Sequence, residues 1–233
     1  MDVPGIGPSG RQRLAASRVL VVGAGGLGSP VLTYLVAGGV GSVVIADGDI
    51  VEVSNLQRQV LHLEESVGLN KAVSASARLR QLDSSVQIDV VPAMLNAESL
   101  AELLPGVDLV IDCCDSFGIK LMIDDVCGAV GMPRVWGSAV SMIGQVSVFG
   151  VADAHGHVWR LRDLHPVEPA VGTYPMAVDV GVLGAMVGQV GSVMATEAIK
   201  LLAGFGEPLV GRLLILDAAA GRWDVVTVRA AES

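Results

Sequence analysis

Aromatic residues and positive charge are both scarce in this sequence. Only 3% of the 233 residues are aromatic, whereas 52% are hydrophobic, so the core must be built from aliphatic side chains and methionine. Charged residues make up 17%, and the net charge is −9. This composition excludes a disordered chain and argues against general binding to a nucleic-acid backbone, which requires a basic surface. The length suits one large domain or two small ones.

Cysteine is equally rare. The three cysteines are Cys113, Cys114 and Cys127. Because no C-x-x-C pair occurs among them, they form neither a disulfide framework nor a zinc knuckle. This usage fits a reducing compartment, and the N-terminus lacks the apolar segment of a signal peptide. We therefore expect a cytoplasmic protein.

One uncharged stretch, residues 180–195, is a candidate membrane span. It is short for that purpose and is interrupted by Gln189. A buried helix is the better interpretation, and Gly184 and Gly188 would let a neighbouring element pack closely against that helix.

Strand-like and helix-like segments alternate along the first 140 or so residues. The β-branched run Arg18–Val22 predicts a strand, and it is followed by a glycine-rich turn, a helix over 29–40 and a strand over Ser42–Ala46. These elements make one β-α-β unit. The later predictions are helices over 70–82, 97–104 and 117–130 and strands over 86–91, 107–113 and 133–139. Such alternation predicts an α/β fold with a doubly wound, Rossmann-like, mostly parallel sheet.

The pattern changes after about residue 140. Residues 145–151 and 157–162 are predicted to form an antiparallel hairpin. The remaining predictions are a proline-containing loop over 163–179, a long helix over about 180–202, and strands over 211–219 and 222–228. We expect one domain over 1–233, with a nucleotide-binding half (about 18–140) and a C-terminal antiparallel extension with a crossover loop (about 141–233).

The glycine motif after the first strand indicates a nucleotide site. Residues 23–28, GAGGLG, match the motif G-x-G-x-x-G with Gly23, Gly25 and Gly28, and Gly26 is an additional glycine inside it. Its glycines let phosphate or ribose approach backbone N–H groups at a helix N-terminus. Asp47 ends the second strand, where a carboxylate can accept hydrogen bonds from ribose. Taken singly, the motif is a tight turn and Asp47 a turn aspartate, but together they favour a nucleotide.

Two cations follow within the same part of the chain. Arg58 lies in the polar stretch of residues 47–60, and Lys71 is one of only three lysines. An NAD site needs few cations, whereas a triphosphate needs more, so this pair favours a triphosphate. The alternatives are a surface salt bridge for Arg58 and a solvated first-turn lysine for Lys71.

Asp112 and Asp115 lie at the carboxyl end of the fourth predicted strand. Ligands of open α/β sheets bind at that edge, and a carboxylate there could hold Mg²⁺ that bridges phosphates. The alternative is that Asp115 or Ser116 caps the next helix.

Taken together, these segments resemble the ThiF/MoeB family, bacterial relatives of the ubiquitin-activating enzymes. The resembling segments are RVLVVGAGGLGSP, ADGDIVEVSNLQRQVLH, VGLNKAVSA, LVIDCCDS, GQVSVF and GSVMATEAIKLL. They span residues 18 to about 218, and SNLQRQ behind a D-x-D strand end is far more specific than the glycine motif. The resemblance implies a homodimeric, Mg-ATP-dependent adenylyltransferase. Its substrate would be the C-terminal Gly-Gly carboxylate of a ubiquitin-like sulfur-carrier protein.

The resemblance also implies roles for individual residues. Asp47 would bind ribose, Asp115 would hold Mg²⁺, and Gln57 and Gln59 would brace the polar loop. The residues expected to contact the nucleotide are Gly23, Gly25, Gly26, Gly28, Asp47, Asp49, Asn55, Arg58, Gln59, Lys71 and Asp115. The residues expected to be catalytic are Arg58, Lys71 and Asp115. No general base is needed, because a C-terminal carboxylate is already ionised at about pH 7.

Some family features are missing. Val158 and Leu161 stand where many members carry the first zinc-binding C-x-x-C pair, so we expect no structural zinc. Ala177 stands at about the position of a loop cysteine found in some members, which argues against covalent thioester or acyl-disulfide chemistry there. Lys120 replaces the usual arginine of the next helix, and it keeps the charge without the two-pronged geometry. Ser116 replaces the usual asparagine.

The N-terminus also departs from the family pattern. Many members begin with an arginine-containing segment that reaches into the neighbouring subunit's ATP site. Because this sequence starts too late to include that segment, we expect it to be missing here. Arg11 and Arg13 are the candidate substitutes.

Three other functions stay open from the sequence alone. They are adenylation of a peptide or small-molecule carboxylate, NAD-dependent oxidoreduction, and nucleotide binding by a non-catalytic scaffold. An oxidoreductase would leave Arg58 and Lys71 unexplained. A scaffold would have had no reason to retain those two cations together with Asp47 and Asp115.

Overall fold

The computed structural model describes residues 5–169 and 180–228. In this part of the chain the helices are α1 (Gly7–Ala16), α2 (Gly28–Ala37), α3 (Lys71–Leu82), α4 (Ala97–Leu103), α5 (Phe117–Ala129), α6 (Leu161–Leu164) and α7 (Gly184–Ala203). The strands are β1 (Arg18–Val22), β2 (Ser42–Ala46), β3 (Gln87–Val91), β4 (Leu109–Asp112), β5 (Arg134–Val140), β6 (Ile143–Phe149), β7 (Arg212–Asp217) and β8 (Arg222–Thr227). Short 3₁₀ turns occur at Val53–Asn55 and Glu64–Ser66.

The eight strands form one mixed sheet in the order β3-β2-β1-β4-β5-β6-β7-β8. Pairs from β3 to β5 are parallel, and pairs from β5 to β8 are antiparallel. The predicted α/β class, a mostly parallel sheet with an antiparallel C-terminal extension, is confirmed.

The central strands are apolar throughout because they are buried on both faces. In β1, Val19 and Val21 pack into one cluster with α2, α3 and α7, whereas Leu20 and Val22 pack into a second cluster with α4 and α5. Successive strand residues point to opposite faces, and a parallel sheet covered by helices on both sides therefore reads as a continuous hydrophobic run. This pattern is why the strand predictions for Arg18–Val22 and Ser42–Ala46 match the observed bounds.

The long helix α7 corresponds to the buried helix predicted over about 180–202, and it packs on β5 and β6. A side chain on Gly184 would overlap the backbone carbonyl of Gln57, and one on Gly191 would overlap Pro30. The first contact anchors the polar stretch to the start of α7. At Gly188, no atom of the described residues lies within 4 Å of the Cβ position, so the close neighbour expected there is not found within this part of the chain. No helix in the described ranges has the length and apolarity needed to cross a membrane.

The predicted hairpin over 145–162 forms only in part. Its two segments are joined by one antiparallel bridge, between Ala152 and Val158, with a backbone hydrogen bond on either side of it, and the second segment then enters α6. The carboxylate of buried Asp124 fixes the start of α6, because it accepts hydrogen bonds from Arg160 Nε and from Leu161 N–H at 3.1 and 2.9 Å. A longer hairpin, which was not predicted, joins β5 to β6 through a tight turn at Ser141, whose φ is 55°.

The N-terminal helix α1 was not predicted. It buries Leu14 and Gly10. Most of the predicted loop over 163–179 lies outside the described residues.

Candidate functional site

The candidate site lies where three neighbouring strands end. β1 pairs with β2 on one side and with β4 on the other, and Val22 is in register with Ala46 and with Asp112. The loops that follow these strands therefore begin side by side at the carboxyl edge of the sheet. The chain also reverses its direction across the sheet between β1 and β4. Open α/β sheets bind ligands at such a point.

The glycine loop, residues 23–28, uses its glycines in two ways. Gly23 has a φ of 99°, and a Cβ atom there would lie 2.9 Å from the carbonyl oxygen of Cys113. A Cβ atom on Gly28 would overlap the Gly23 carbonyl. Gly25 is not crowded in this way, because the nearest atom to its Cβ position is Nε2 of Gln59 at 3.5 Å. Packing therefore requires Gly23 and Gly28, whereas Gly25 borders space that a ligand could occupy.

Asp47, at the end of β2, is bonded directly to the glycine loop. Its Oδ2 atom accepts a hydrogen bond from Ala24 N–H at 2.7 Å, and its Oδ1 atom accepts one from Asp49 N–H at 2.8 Å. Burial raises the pKa of Asp47, against the opposing effects of these two hydrogen bonds and of the Lys71 charge. Each carboxylate oxygen has more than one acceptor site. Asp47 can therefore hold the loop and still accept a hydrogen bond from a ligand.

The polar loop, residues 52–62, folds against the glycine loop. Its first turn is closed by a capping box in which Glu52 and Asn55 exchange side-chain and backbone hydrogen bonds. The Asn55 carbonyl then accepts the N–H groups of Arg58 and Gln59 at 3.0 and 2.9 Å. Asn55 is buried, so in the free protein its role is to stabilise the turn of the loop that carries Arg58.

Arg58 and Gln59 border the space in front of the glycine loop. The Cγ atom of Arg58 lies 3.6 Å from the Cβ position of Gly26. Its guanidinium makes one long hydrogen bond within the described residues, to the Ser54 carbonyl at 3.4 Å. Gln59 is buried, and its Oε1 atom has no partner among the residues that the structure describes. A weakly held cation and a buried, unpaired acceptor both suit a polar ligand.

Lys71 begins α3 and is buried, so the alternative of a solvated lysine does not hold. Its ammonium lies 2.9 Å from Oδ2 of Asp49, whose side chain is largely exposed. The Lys71 N–H also donates to the Asp49 carbonyl at 2.9 Å. The Asn70 side chain donates to the carbonyl oxygens of Asp47 and Asp49. The start of α3 is therefore tied to the D-x-D strand end beside the glycine loop.

The two aspartates after β4 have different environments. Asp115 is exposed, and its carboxylate makes no hydrogen bond within the described ranges. Ser116 is the N-cap residue of α5, but it caps without a side-chain hydrogen bond. Asp112 is fully buried and lies 3.3 Å from the Lys120 ammonium. Asp115 is therefore the aspartate available to a ligand. Across the described residues, no three acidic, histidine or cysteine side chains gather into a metal cluster.

Two features near the site were not predicted. Lys120 points into the interior, where its ammonium donates to the Gly137 carbonyl at 2.7 Å and lies 5.6 Å from the Trp136 ring centroid. His62 is buried against the glycine loop, with Nε2 2.8 Å from the Ala24 carbonyl. The available signal for His62 was its position four residues after Arg58 in a segment that carries the family resemblance.

Comparison with known proteins gives a consistent result. The whole chain, residues 1–233, matches the model of the ThiF family. A sulfur carrier protein adenylyltransferase from Thermus thermophilus is 44% identical over 230 residues, which cover 98% of this chain and 85% of that protein. A SAMP-activating enzyme E1 from Haloferax volcanii is 44% identical over 224 residues, which cover 96% of this chain and 81% of that protein.

Other relatives are longer or more distant. This chain spans 48% of the adenylyltransferase and sulfurtransferase MOCS3 from Mus musculus, at 40% identity over 227 residues. Among solved structures, a complex of E. coli MccB with MccA-N7isoASN matches with a TM-score of 0.81 at 19% identity, over 96% of this chain and 67% of that one. Identity this low shows the fold alone. The full-length family match, with the glycine loop and D-x-D strand end in place, shows that this chain belongs to the ThiF family.

Proposed function

We propose that this chain is a Mg-ATP-dependent adenylyltransferase that activates the C-terminal glycine carboxylate of a ubiquitin-like sulfur-carrier protein. The products are the acyl-adenylate and pyrophosphate. The 44% identity to a sulfur carrier protein adenylyltransferase over nearly the whole chain supports this assignment. Membership in the ThiF family, whose adenylyltransferases use ATP, supports the nucleotide.

The observation that carries the proposal is the position of two cations around one glycine loop. Arg58 packs over Gly26, and Lys71 is tied to the strand end that holds Asp47. A dinucleotide needs few cations, because the helix N-terminus handles much of the charge of a pyrophosphate. Two cations at this edge fit a triphosphate, whose charge grows on the leaving group as the α-phosphate is attacked.

Each residue of the site has a place in this chemistry. The backbone N–H groups of the glycine loop would receive the phosphates, and Asp47 would accept hydrogen bonds from the ribose. Arg58 and Lys71 would neutralise the transferring and leaving phosphates, and Asn55 and Gln59 would hold the loop that positions Arg58. Because the Asp49 side chain is largely exposed, it can swing away and release Lys71 to a phosphate at small cost.

The residues present fit a magnesium ion. Asp115 offers an exposed carboxylate at the carboxyl edge of β4, beside the glycine loop. Mg²⁺ is usually bound through one or two carboxylates together with substrate phosphates and water, so a single protein carboxylate is sufficient. When bound, the ion would supply charge neutralisation on the phosphate oxygens. We propose Asp115 as its protein ligand.

The attacking group is a C-terminal carboxylate, which is already ionised near pH 7. The site therefore needs no general base, and its task is alignment of the carboxylate with the α-phosphate and neutralisation of charge. We propose no structural zinc, since Val158 and Leu161 stand where cysteines would fall and Leu161 is buried at the start of α6. Ala177, at the expected position of a loop cysteine, lies outside the described residues.

We also propose that the protein is a cytoplasmic homodimer. Its three cysteines are free thiols, which supports a reducing compartment. An open groove between α2 and α7 leaves apolar side chains exposed, among them Tyr34, Val60 and Trp223. A second copy covering this groove would remove that surface from water. The number of protomers can be measured by sedimentation equilibrium.

The proposed function is tested by ATP–pyrophosphate exchange with Mg²⁺ across a panel of carrier proteins that end in Gly-Gly. Exchange that depends on one carrier and is lost in Asp115→Ala would support adenylation and identify the partner. Measurable ATP binding without exchange on any carrier would point to a small-molecule carboxylate or a scaffold. A protein that binds NAD and does not bind ATP would overturn the proposal.

A further inference from the structure

His62 is a buried histidine between the glycine loop and α3, and the reaction above does not use it. Only 4% of its surface is exposed. Both ring nitrogens lie at hydrogen-bond distance, Nε2 2.8 Å from the Ala24 carbonyl and Nδ1 2.9 Å from the Ser74 hydroxyl. The ring, which belongs to the polar loop, therefore contacts both the glycine loop and the first turn of α3.

The partners fix the tautomer. A carbonyl oxygen can only accept, so Nε2 must carry the hydrogen that bonds Ala24, and Nδ1 of a neutral ring then accepts from the Ser74 hydroxyl. The charged groups around His62 are Lys71 on α3 and Asp47 at the end of β2. Burial and Lys71 lower the pKa of His62, against the opposing effects of Asp47 and the Ala24 hydrogen bond. The ring is therefore neutral at about pH 7 and adds no charge beside the phosphates.

The bond to Ala24 determines where the next N–H group points. The Ala24 carbonyl and the Gly25 N–H belong to the same planar peptide unit, and in a trans unit they point in opposite directions. The described residues contain no cis peptide bond. Holding the Ala24 carbonyl towards His62 therefore turns the Gly25 N–H away from His62.

Asp47 fixes the preceding peptide unit in the same way, because its Oδ2 atom accepts the Ala24 N–H at 2.7 Å. Consecutive peptide units of the glycine loop are thus held by side chains from two different segments. Ala24 is fully buried between them. Among the described residues, Gln59 is the one side chain within 4 Å of the Cβ position of Gly25.

We infer that His62 is a positioning residue for the nucleotide, which aims the Gly25 N–H at a phosphate by holding the Ala24 carbonyl. This inference rests on the proposed binding of ATP. His62 would contact no reacting atom. Its effect would be on nucleotide affinity more than on the rate of the chemical step, since the loop is already fully formed once ATP is bound.

The test compares His62→Gln, His62→Leu and Ser74→Ala. Gln keeps a terminal N–H donor in about the place of Nε2, whereas Leu fills similar space without a donor. Mg-ATP affinity is measured by titration calorimetry without any carrier protein. We expect Leu to weaken ATP binding by about tenfold, the effect of one positioned hydrogen bond. Gln should stay within about threefold of the parent protein, and Ser74→Ala should change affinity less than Leu does.

A second readout uses the ligand-free protein. In the amide NMR spectrum, His62→Leu should shift the Gly25 signal and speed hydrogen exchange at Ala24, and His62→Gln should restore both. Unchanged Gly25 and Ala24 signals in a folded Leu variant would overturn the inference, as would equal loss of affinity in the Gln and Leu variants. If the parent protein binds no ATP, the proposed function fails instead, and the loop signals still report whether His62 holds the loop.

Discussion

The buried ammonium of Lys71 lies 2.9 Å from the exposed carboxylate of Asp49, so a cation assigned to phosphate is paired within its own chain. The pair is asymmetric, because the side chain of Lys71 is 9% exposed and that of Asp49 is 62% exposed. Lys71 is also fixed by its backbone bond to the Asp49 carbonyl. When a phosphate competes for the ammonium, Asp49 is therefore the partner that can move into water.

Asp49→Asn tests whether Asp49 competes with the nucleotide or binds it. If it competes, removing its charge should strengthen ATP binding by about two- to fivefold, the size expected of an exposed ion pair. If Asp49 contacts the nucleotide directly, as the family resemblance implies, the same variant should weaken binding. Titration calorimetry with ATP separates the two, and Lys71→Ala is the matched control that should weaken binding in either case.

Arg58 should matter for the reaction and little for the fold. Its guanidinium makes only one long hydrogen bond, to Ser54, within the described residues. Arg58→Ala should lower carrier-dependent ATP–pyrophosphate exchange by about 10²- to 10³-fold, as expected for loss of a group that stabilises developing charge. The thermal unfolding midpoint should hardly change. Arg58→Lys should recover part of the rate, since it restores the charge without the planar fork. An Arg58→Ala variant with the parent rate would remove Arg58 from the mechanism.

The limits of sequence prediction are clear from two segments. The bounds of β1 and β2 were predictable because burial on both faces leaves a local apolar signature. The course of residues 157–162 was not, because Arg160 and Leu161 are held by Asp124, which lies 36 and 37 positions earlier. No pattern within a short window reports a partner that distant.

In the candidate site, too, local sequence patterns predict some features, whereas contacts between distant residues determine others. The strand ends that bring Asp47 and Asp115 to one edge follow from the alternation of strands and helices. Whether a charged residue meets ligand or protein depends on tertiary contacts, so the pairing of Lys71 with Asp49 and the burial of Lys120 could not be predicted. The roles assigned to these residues remain predictions until ATP binding is measured.

The buried pair of Asp112 and Lys120 should be strongly coupled. Both side chains are nearly inaccessible, at 0% and 3% exposure. Asp112→Asn and Lys120→Met should each destabilise the protein by about 3–5 kcal/mol, because each leaves a buried charge without the opposite charge beside it. In a double-mutant cycle, the double variant should lose at least about 1 kcal/mol less free energy of unfolding than the two single variants together. Denaturant unfolding measures this coupling.

An exposed pair supplies the matched control for that cycle. Arg222 and Asp224 lie 2.7 Å apart on β8 with both side chains in water, and a double-mutant cycle there should show no measurable coupling. Additive effects at Asp112 and Lys120 would contradict a tightly coupled pair in the interior.

The thiols should be inert in the folded protein. Burial is the main cause that raises the pKa of each of Cys113, Cys114 and Cys127, and for Cys127 it raises the pKa to about 11. Alkylation requires the thiolate, so iodoacetamide at about pH 8 should label none of them, and mass spectrometry should find all three labelled after unfolding in guanidinium. Labelling in the folded state should rise only as the pH approaches the raised pKa of Cys127. Fast labelling of any of these three at neutral pH would show a reactive thiol, and at Cys113 or Cys114 it would reopen covalent sulfur chemistry at the carboxyl edge of β4.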